Sequence, residues 1–266
     1  MITLLTDFGT AGPFIGAMKG VILGINPCAV VVDITHDILP MDVEEAAFVL
    51  DSSYRYFPAR TVHVVVVDPG VGTGRALLAV EAGQYVFLAP DNGVLGPVFE
   101  RHPDARVYRI TNRKYAREPI SRTFHGRDIL APAAAHVSSG VSPASLGEPF
   151  SGFQKGNGGR AVCAENRIEG RIVFVDRFGN GITNIGFNLL EGREAAVVEV
   201  EGVMVKRLVE SYGDAGSDEP VALFGSGDKL EIAVNCGSAR DSIGFRVGAA
   251  VKVLLKSPDT LKANGL

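Results

Sequence analysis

Apolar residues recur with two different periods along the first half of the chain. Short runs that are almost uniformly apolar predict strands, namely ITLLTD, AVVVDIT, VHVVVVD, ALLAVEA and YVFLAP, with Gly83-Gln84 as the turn of a hairpin between the last two. Apolar positions at helical spacing predict helices over residues 13–25 and over VEEAAFVLDSSYRYF, with Asp42 as the N-cap of the second. Strands that alternate with helices, and that lack polar alternation, predict a layered α/β domain with a mostly parallel sheet.

The second half has a different pattern. SGFQKGNGGRAV is rich in glycine, polar and without period, which is typical of a linker. Short β patterns follow, namely RIVFVD, AAVVEV, MVKRLV, PVALFG, KLEIAV and AAVKVLL. We therefore predict an N-terminal α/β domain over residues 1–150, a linker over 151–164, and a smaller all-β barrel or sandwich domain over 165–266.

Composition excludes several classes of protein. The chain has 266 residues and a net charge of −4 without a basic run, so no nucleic-acid surface is expected. No uncharged apolar run reaches the roughly 18–20 residues of a membrane helix, and Met1 leads into ITLLTDFG without the features of a signal peptide. Cys28, Cys163 and Cys236 are odd in number and far apart, which argues against a disulfide framework or a zinc site. We expect a cytoplasmic protein.

Four predicted strands end in a carboxylate. The residues are Asp7, Asp33, Asp68 and Asp91. A single aspartate at a strand end is more often a turn former, but ligands of α/β sheets bind at the carboxyl ends of strands, so four at one edge favour a site. The glycine-rich GVGTGR lacks the ending of a phosphate loop. An acidic edge suits a ligand that is cationic or rich in hydroxyls, such as a ribose.

Two further motifs carry polar side chains. TFHGRD places His125 at the predicted start of the helix ILAPAAAHV, where the helix dipole favours a neutral imidazole that could orient or deprotonate a water. A capping or purely structural histidine is an equally open interpretation. DRFGN, starting at Asp176, follows a strand and by itself is best explained as a turn.

Taken together, TDFG, VVDPGVGTGR, APDNG, TFHGRD, DRFGNGITN and an asparagine after the late strand KLEIAV resemble one family. This is the S-adenosyl-L-methionine (SAM) hydroxide adenosyltransferases, adenosine-forming SAM hydrolases related to the fluorinase and chlorinase enzymes. The resemblance runs from Thr6 to about Asn235 and keeps the family's motif order.

The resemblance implies a set of site residues. Asp68, Arg75 and His125 would be catalytic, with Gly70, Gly72 and Gly74 letting the chain fold back so that Arg75 meets the same water as Asp68. Binding roles would fall to Asp7 for the ribose hydroxyls, Phe124 beside the reacting carbon, Asp176 for the methionine ammonium with Phe178 and Asn180 next to it, Ser226 for the methionine carboxylate, and Asn235 for adenine. The sulfonium of SAM is a good leaving group, so no metal or other cofactor is expected. Whether Asp68 or His125 takes the proton stays open.

Two alternative functions and an oligomeric state are also considered. The halogenases have Tyr-Ser where this chain has His125-Gly126, which speaks against a halide pocket. They also have an arginine where this chain has Gly227, which implies a different grip on the methionine carboxylate. A non-catalytic sensor of SAM or adenosine would not need a water-activating trio. The family assembles as a trimer with each site shared between two subunits, which predicts a homotrimer here.

Overall fold

The computed structural model describes residues 1–156, 160–191, 193 and 195–256. The chain divides into two compact units, Met1–Gly158 (unit 1) and Gly159–Leu266 (unit 2). Residues 157–159 of the predicted linker, and the last ten residues of the predicted second domain, lie outside the described part.

Unit 1 alternates strands and helices along most of its length. Its elements are β1 (Ile2–Thr6), α1 (Phe14–Ile25), β2 (Val31–Thr35), α2 (Val43–Ser53), β3 (Val62–Val66), β4 (Leu77–Ala82), β5 (Tyr85–Pro90), α3 (Gly96–Arg101), β6 (Arg106–Ile110), a π turn (Gly126–Leu130), α4 (Ala131–Ser138) and β7 (Gly147–Pro149). Asp42 caps α2 as predicted, because its carboxylate accepts a hydrogen bond from the Glu45 amide at 2.9 Å.

The strands of unit 1 form one seven-stranded mixed sheet in the order β2-β1-β3-β5-β4-β6-β7. The pairings among β2, β1, β3 and β5 are parallel, and those among β5, β4, β6 and β7 are antiparallel. The β4–β5 hairpin pairs Ala82 with Tyr85 across the predicted turn. The layered α/β fold is thus confirmed, with a parallel core extended by antiparallel strands.

Strand β3 is an interior strand of this sheet, between β1 and β5, and is buried on both faces. Val65 and Val67 pack into the core on one side, against α2 and α3, while Val64 and Val66 pack into the core on the other side, against α1 and α4. Each fully buried valine contributes roughly 1.5–3 kcal/mol. The strand is therefore a rigid support for Asp68, which lies two residues beyond its end.

Unit 2 is built mainly of antiparallel strands. Its elements are β8 (Val162–Cys163), β9 (Arg167–Val175), β10 (Gly181–Gly186), β11 (Ala195–Val200), β12 (Val203–Val205), β13 (Pro220–Phe224), β14 (Lys229–Val234), α5 (Ala239–Ile243) and β15 (Ala250–Leu255). They pair in the order β12-β11-β15-β9-β10-β14-β13, with β8 beside β9, and the sheet closes almost into a barrel around one apolar core. The predicted all-β barrel is confirmed.

Two strands of unit 2 were absent from the sequence prediction, namely β8, which lies inside the predicted linker, and β10. β10 follows DRFGN directly and reads GITNIG, with two glycines, a threonine and an asparagine. Its buried positions Gly181, Thr183 and Ile185 alternate in the structure, but only one of them is a large apolar residue, so the period is hidden in the sequence. Across the part of the chain described here, the structure has no helix that combines the length and apolarity needed to cross a membrane.

Candidate active site

Asp68 and Arg75 form the centre of a buried polar cluster at the carboxyl end of β3. Arg75 Nε donates to Asp68 Oδ1 and Oδ2, both at 2.9 Å, and Arg75 Nη2 also contacts Oδ2. Only 8% of the Asp68 side chain and 10% of the Arg75 side chain are exposed. A two-pronged, charge-assisted contact of this kind fixes the orientation of both side chains.

The glycine-rich turn between these two residues lets the chain return on itself. Thr73 holds the turn closed, because its hydroxyl donates to the Gly70 carbonyl at 2.7 Å. Gly72 has a φ of +81°, and a β-carbon there would lie 2.6 Å from the Arg122 carbonyl oxygen. This position requires glycine, because the turn packs directly on the loop that precedes His125. A β-carbon at Gly74 would meet nothing, so the structure gives no steric reason for a glycine there.

His125 completes the cluster from a distant part of the chain. Its Nδ1 lies 3.0 Å from Arg75 Nη2. A guanidinium only donates hydrogen bonds, so Nδ1 is the acceptor and the proton of the neutral ring resides on Nε2. Burial lowers the pKa of His125, and the positive charge of Arg75 lowers it further, against the opposing effect of Asp68. The neutral form predicted from the helix dipole is therefore also favoured by burial and by Arg75. We call Asp68, Arg75 and His125 the Asp68 cluster.

The end of β1 and the segment before His125 meet through aromatic contacts. Phe8, next to Asp7, lies edge-on to Phe124 with 5.6 Å between ring centroids, and Phe14 contacts both rings at 5.7 and 5.4 Å. The Asp7 carboxylate accepts a hydrogen bond from the Met41 amide at 2.8 Å, across a loop that follows β2. Asp7 and Phe124 thus belong to neighbouring segments of unit 1.

The other two carboxylates that were predicted at strand ends have structural partners instead, and Asp33 lies in the middle of β2 rather than at its end. Asp33 accepts a hydrogen bond from Lys19 Nζ at 2.6 Å. Asp91 is 9% exposed and accepts from the Gln154 amide at 2.8 Å, which ties the end of the unit to the end of β5. The neighbouring Asn92 donates to the Val67 carbonyl at 2.8 Å. The APDNG motif therefore holds the strand end that carries Asp68.

In unit 2, residues 176–180 form a tight turn between β9 and β10, which we call the Asp176 turn. Asp176 Oδ1 accepts from the amides of Phe178 and Asn180 at 2.9 Å each, and Asn180 Nδ2 donates to Oδ2 at 3.0 Å. Asn180 is buried, whereas Phe178 is 76% exposed. The interpretation of DRFGN as a turn is correct, and the turn also orients the Asp176 carboxylate.

Asn235 and Ser226 lie at opposite ends of β14. Asn235 follows the last residue of the strand, and its Nδ2 donates to the Ala215 carbonyl at 3.0 Å. Because Gly181 pairs with Ile232, Asn235 lies at the same end of β14 as the Asp176 turn. Ser226 is exposed in the hairpin between β13 and β14. The six residues of β14 span roughly 20 Å.

A buried pair in unit 2 was missed by the sequence reasoning. The Tyr212 hydroxyl donates to Glu231 Oε1 at 2.5 Å, and Glu231 is only 7% exposed. Burial raises the pKa of Glu231, and the charge of Asp176 adds to this effect, against the hydrogen bond from Tyr212. The sequence does contain a pointer to this pair, since a glutamate stands in the otherwise apolar middle of KLEIAV.

Within residues 1–156, 160–191, 193 and 195–256, no three or more His, Cys, Asp or Glu side chains are grouped so as to hold a metal ion. Cys28, Cys163 and Cys236 are free and exposed.

Two models of one protein family match this chain. A model described as the SAM hydroxide adenosyltransferase N-terminal domain matches residues 2–147, and one described as the C-terminal domain of the same family matches residues 170–252. The chain belongs to the SAM hydroxide adenosyltransferase family.

Relatives of this SAM hydroxide adenosyltransferase family member include a named hydrolase and a named fluorinase. An (R)-S-adenosyl-L-methionine hydrolase of Thermus thermophilus is 35% identical over 264 residues, covering 95% of this chain and 99% of that protein. A fluorinase of an Actinoplanes species is 27% identical, covering 95% and 97%. The crystal structure of an uncharacterized conserved protein from Thermotoga maritima matches with a TM-score of 0.90 and 36% identity, covering 96% and 100%.

Gly126 bears on the difference between these relatives. It is buried at the start of the π turn, and a β-carbon there would lie 2.9 Å from Val66 Cγ1 and 3.4 Å from Met18 Sδ. The serine that the halogenases carry at this position would need Val66 to move. This SAM hydroxide adenosyltransferase family member therefore has little room for that side chain.

Proposed function

We propose that this protein hydrolyses S-adenosyl-L-methionine to adenosine and L-methionine. The observation that carries the proposal is the contact of Arg75 with both Asp68 and His125 at the end of a buried strand. Three polar groups converge there, and their geometry suits the orientation of one water molecule. The 35% identity to a named SAM hydrolase supports the same reaction.

The chemistry is a direct displacement at the 5′ carbon of the ribose. The oxygen of a water forms a bond to this carbon as the bond between carbon and the sulfonium sulfur breaks, which releases methionine as a neutral thioether. One proton leaves the attacking oxygen. Holding the water in line with the breaking bond can supply roughly 7–11 kcal/mol of the barrier. Arg75 stabilises hydroxide character on the attacking oxygen, in a site shielded from bulk solvent.

Asp68 is the proton acceptor in this proposal. His125 Nδ1 already accepts from Arg75, and the remaining ring nitrogen carries a proton. A carboxylate has about four lone-pair sites, so Asp68 can accept a further hydrogen bond without losing Arg75. The attacking oxygen becomes strongly acidic as the carbon–oxygen bond forms. Its proton can therefore pass to a carboxylate that is paired with an arginine.

The remaining residues bind the substrate. Asp7 takes the ribose hydroxyls, and Phe124 lines the pocket near the reacting carbon. Asp176, with Phe178 and Asn180 beside it, binds the methionine ammonium, while Asn235 binds adenine and Ser226 the methionine carboxylate. Because Ser226 and Asn235 lie at opposite ends of β14, the last assignment needs the substrate or the hairpin to bridge the length of that strand.

We further propose that the reaction needs no metal or other cofactor and takes place in the cytoplasm. The sulfonium leaves without acid assistance, so no Lewis acid is needed at the leaving group, and Arg75 and Asp68 are the groups proposed to activate the water. Exhaustive chelation should leave the turnover unchanged. Activity that is lost on chelation and restored by a divalent ion would refute this part of the proposal.

The protein acts as a homotrimer, in which each site combines unit 1 of one subunit with unit 2 of its neighbour. The support is that the proposed groups fall on both units, while a head-to-tail ring offers both surfaces to every neighbour. Dissociated Asp68→Ala and Asp176→Ala proteins, reassembled together, should regain activity because some interfaces pair two intact units. A monomer by light scattering, or no recovery in verified mixed trimers, would contradict shared sites.

A halogenase is the second candidate, supported by the fluorinase relatives. The buried Gly126, which leaves little room for a serine, disfavours it. The negative charge of Asp68 also disfavours an anionic nucleophile: two like charges at about 4 Å repel by roughly 4 kcal/mol at an effective dielectric constant of 20, before the pairing with Arg75 is counted.

Incubation of the purified protein with SAM, followed by chromatography, distinguishes these functions. Hydrolysis gives adenosine and methionine whether or not fluoride or chloride is present. A 5′-halo-5′-deoxyadenosine that forms in the presence of halide would favour the halogenase. Tight binding of SAM without any turnover would favour a sensor.

A further inference from the structure

Asp128 is a fully buried carboxylate that the proposed mechanism does not use. Its exposure is 0%, yet it receives hydrogen bonds from several donors. Arg127 contacts it with two nitrogens, Nε to Oδ1 at 2.7 Å and Nη2 to Oδ2 at 3.0 Å, and Arg117 Nη1 lies 3.5 Å from Oδ1. The Ser121 amide donates to Oδ2 at 2.9 Å. A buried carboxylate with this many donors holds together the chain segments that supply those donors.

One of these segments reaches His125 through Ser121. The Ser121 hydroxyl accepts from the Phe124 amide at 3.0 Å, and the Ser121 backbone lies close enough to the His125 ring to raise the pKa of that histidine. The Arg117 amide also donates to the Asp128 carbonyl at 2.8 Å. Asp128 therefore fixes the loop of residues 117–124 against the π turn at the point where the imidazole is attached.

The other segment reaches Phe124 through Arg127. The Arg127 guanidinium lies 5.1 Å from the centre of the Phe124 ring, and Asp128 holds that guanidinium in place. Phe124 in turn contacts Phe8, beside Asp7. Both residues that the TFHGRD motif contributes to the proposed site are thus restrained by the same carboxylate.

We propose that Asp128 is a positioning residue, which holds His125 against Arg75 and Phe124 against Phe8 for the hydrolysis proposed above. The inference rests on that proposed function for its kinetic effect, but not for its structural effect. Asp128 does not touch the water or the reacting carbon; it acts through Ser121 and Arg127.

The same carboxylate acts on His125 electrostatically. The charged groups that face the imidazole are Arg75, Asp68 and Asp128. Burial would raise the pKa of Asp128, but hydrogen bonds from Arg127 and Ser121 outweigh it and lower the pKa to about 2, so Asp128 is ionised at neutral pH. Its negative charge raises the pKa of His125, and removing it should lower that pKa.

The test uses Asp128→Asn in the full-length protein. The asparagine keeps the shape of the side chain but removes its charge and one acceptor. We expect kcat for SAM to fall tenfold or more while KM changes less than threefold. We also expect the acidic limb of the pH profile of kcat to move to lower pH, and the pKa of His125, measured by NMR on histidine-labelled protein, to fall. Asp51→Asn is the matched control, because Asp51 is also bonded by an arginine of unit 1 but lies away from the cluster, and it should behave like the wild type.

Several results would overturn the proposal. One is a kcat within twofold of the wild type. A second is a fall of kcat with an unchanged pH profile and an unchanged His125 titration, which would mean that Asp128 only stabilises the fold. If the wild type releases no adenosine from SAM, the proposed hydrolysis fails, and an unchanged His125 titration would then refute the positioning role independently.

A second variant covers the case in which Asp128→Asn does not fold. Ser121→Ala removes the hydroxyl that accepts from Phe124 and keeps the amide that donates to Asp128. We expect kcat to fall about threefold or more at an unchanged KM. Wild-type kcat in a folded Ser121→Ala protein would contradict the path from Asp128 through the Ser121 hydroxyl to the backbone of Phe124, the residue next to His125.

Discussion

The Asp68 cluster of unit 1 and the Asp176 turn of unit 2 both orient a carboxylate, but by different means. In the cluster the partners of Arg75 lie 7 and 50 residues away in sequence. In the turn the partners of Asp176 lie 2 and 4 residues away, and all are neutral N–H groups. The cluster thus depends on the tertiary fold of unit 1, whereas the turn is specified by five consecutive residues.

This difference suggests that the two regions contribute to different steps, the Asp68 cluster to catalysis and the Asp176 turn to substrate binding. A cluster that crosses distant segments can place charge where it develops in a transition state, which affects kcat. A local turn presents a fixed carboxylate to a charged group that is the same in the substrate and in the transition state, which affects KM. The predictions below test this division.

The largest effect is expected from the Asp68 cluster. Asp68→Ala and Arg75→Ala should each lower kcat by about 10²-fold or more, the usual scale for the loss of an acid–base or preorganised electrostatic group, while KM for SAM changes much less. Arg101→Ala removes an exposed arginine that also pairs with an aspartate of unit 1, and it should retain wild-type kcat. Steady-state kinetics on all three variants measures these changes in kcat and KM. Wild-type turnover in either cluster variant would mean that the cluster is structural.

Acid should destabilise unit 1 more than unit 2. All five histidines of the chain lie in unit 1, and His63 is fully buried with its Nδ1 2.8 Å from Thr3 Oγ1. Burial lowers the pKa of His63 from 6.5 to about 4. The unfolded chain therefore binds a proton between these values that the folded chain does not, so stability is present above pH 6.5 and is lost as the pH falls towards 4.

At pH 5 this histidine alone should cost unit 1 about 2 kcal/mol relative to pH 8. Five of the six tyrosines lie in unit 1 and the chain has no tryptophan, so tyrosine fluorescence during urea unfolding reports mainly on unit 1. In His63→Gln the loss between pH 8 and pH 5 should shrink by this amount. An equal pH dependence in the variant would show that other groups cause the acid sensitivity.

A smaller effect is expected from the Asp176 turn. Asp176→Asn keeps an oxygen for the amides of Phe178 and Asn180, so the turn should persist, but the charge that binds the methionine ammonium is lost. We expect KM for SAM to rise about tenfold, which corresponds to about 1.4 kcal/mol, with kcat within a few-fold of the wild type. Glu199→Gln, which neutralises a carboxylate on β11 of the same unit, is the control and should not change KM. A fall in kcat as large as that of Asp68→Ala would remove the division between the two regions.

The sequence predicts the fold well where the apolar pattern is strong. The both-sided burial of β3 could be anticipated because four consecutive valines leave no polar face, and the cap of α2 because Asp42 precedes a helical pattern. β10 could not, because a glycine and a threonine occupy two of its three alternating inward positions. The π turn is also invisible in the sequence, because Gly126 and the residues after it are compatible with an ordinary helix start.

The candidate site could be predicted only in part, because its residues are distinguished by long-range contacts. Four strand-end carboxylates look alike in sequence, and only tertiary contacts distinguish them: Asp91 binds the Gln154 amide, 63 residues away, and Asp33 binds Lys19. The role of Asp128 likewise depends on partners from the loop of residues 117–124. Long-range pairing of this kind is set by the packed fold and leaves no local pattern in the chain.

Hydrolysis in water enriched in oxygen-18 tests the central claim most directly, namely that a water at the Asp68 cluster attacks the 5′ carbon of the ribose. Mass spectrometry of the products after a single turnover should find one oxygen-18 atom in the 5′ hydroxyl of adenosine and none in methionine. Adenosine that carries no label at the 5′ position would contradict the account, because its oxygen would then have come from a source other than that water.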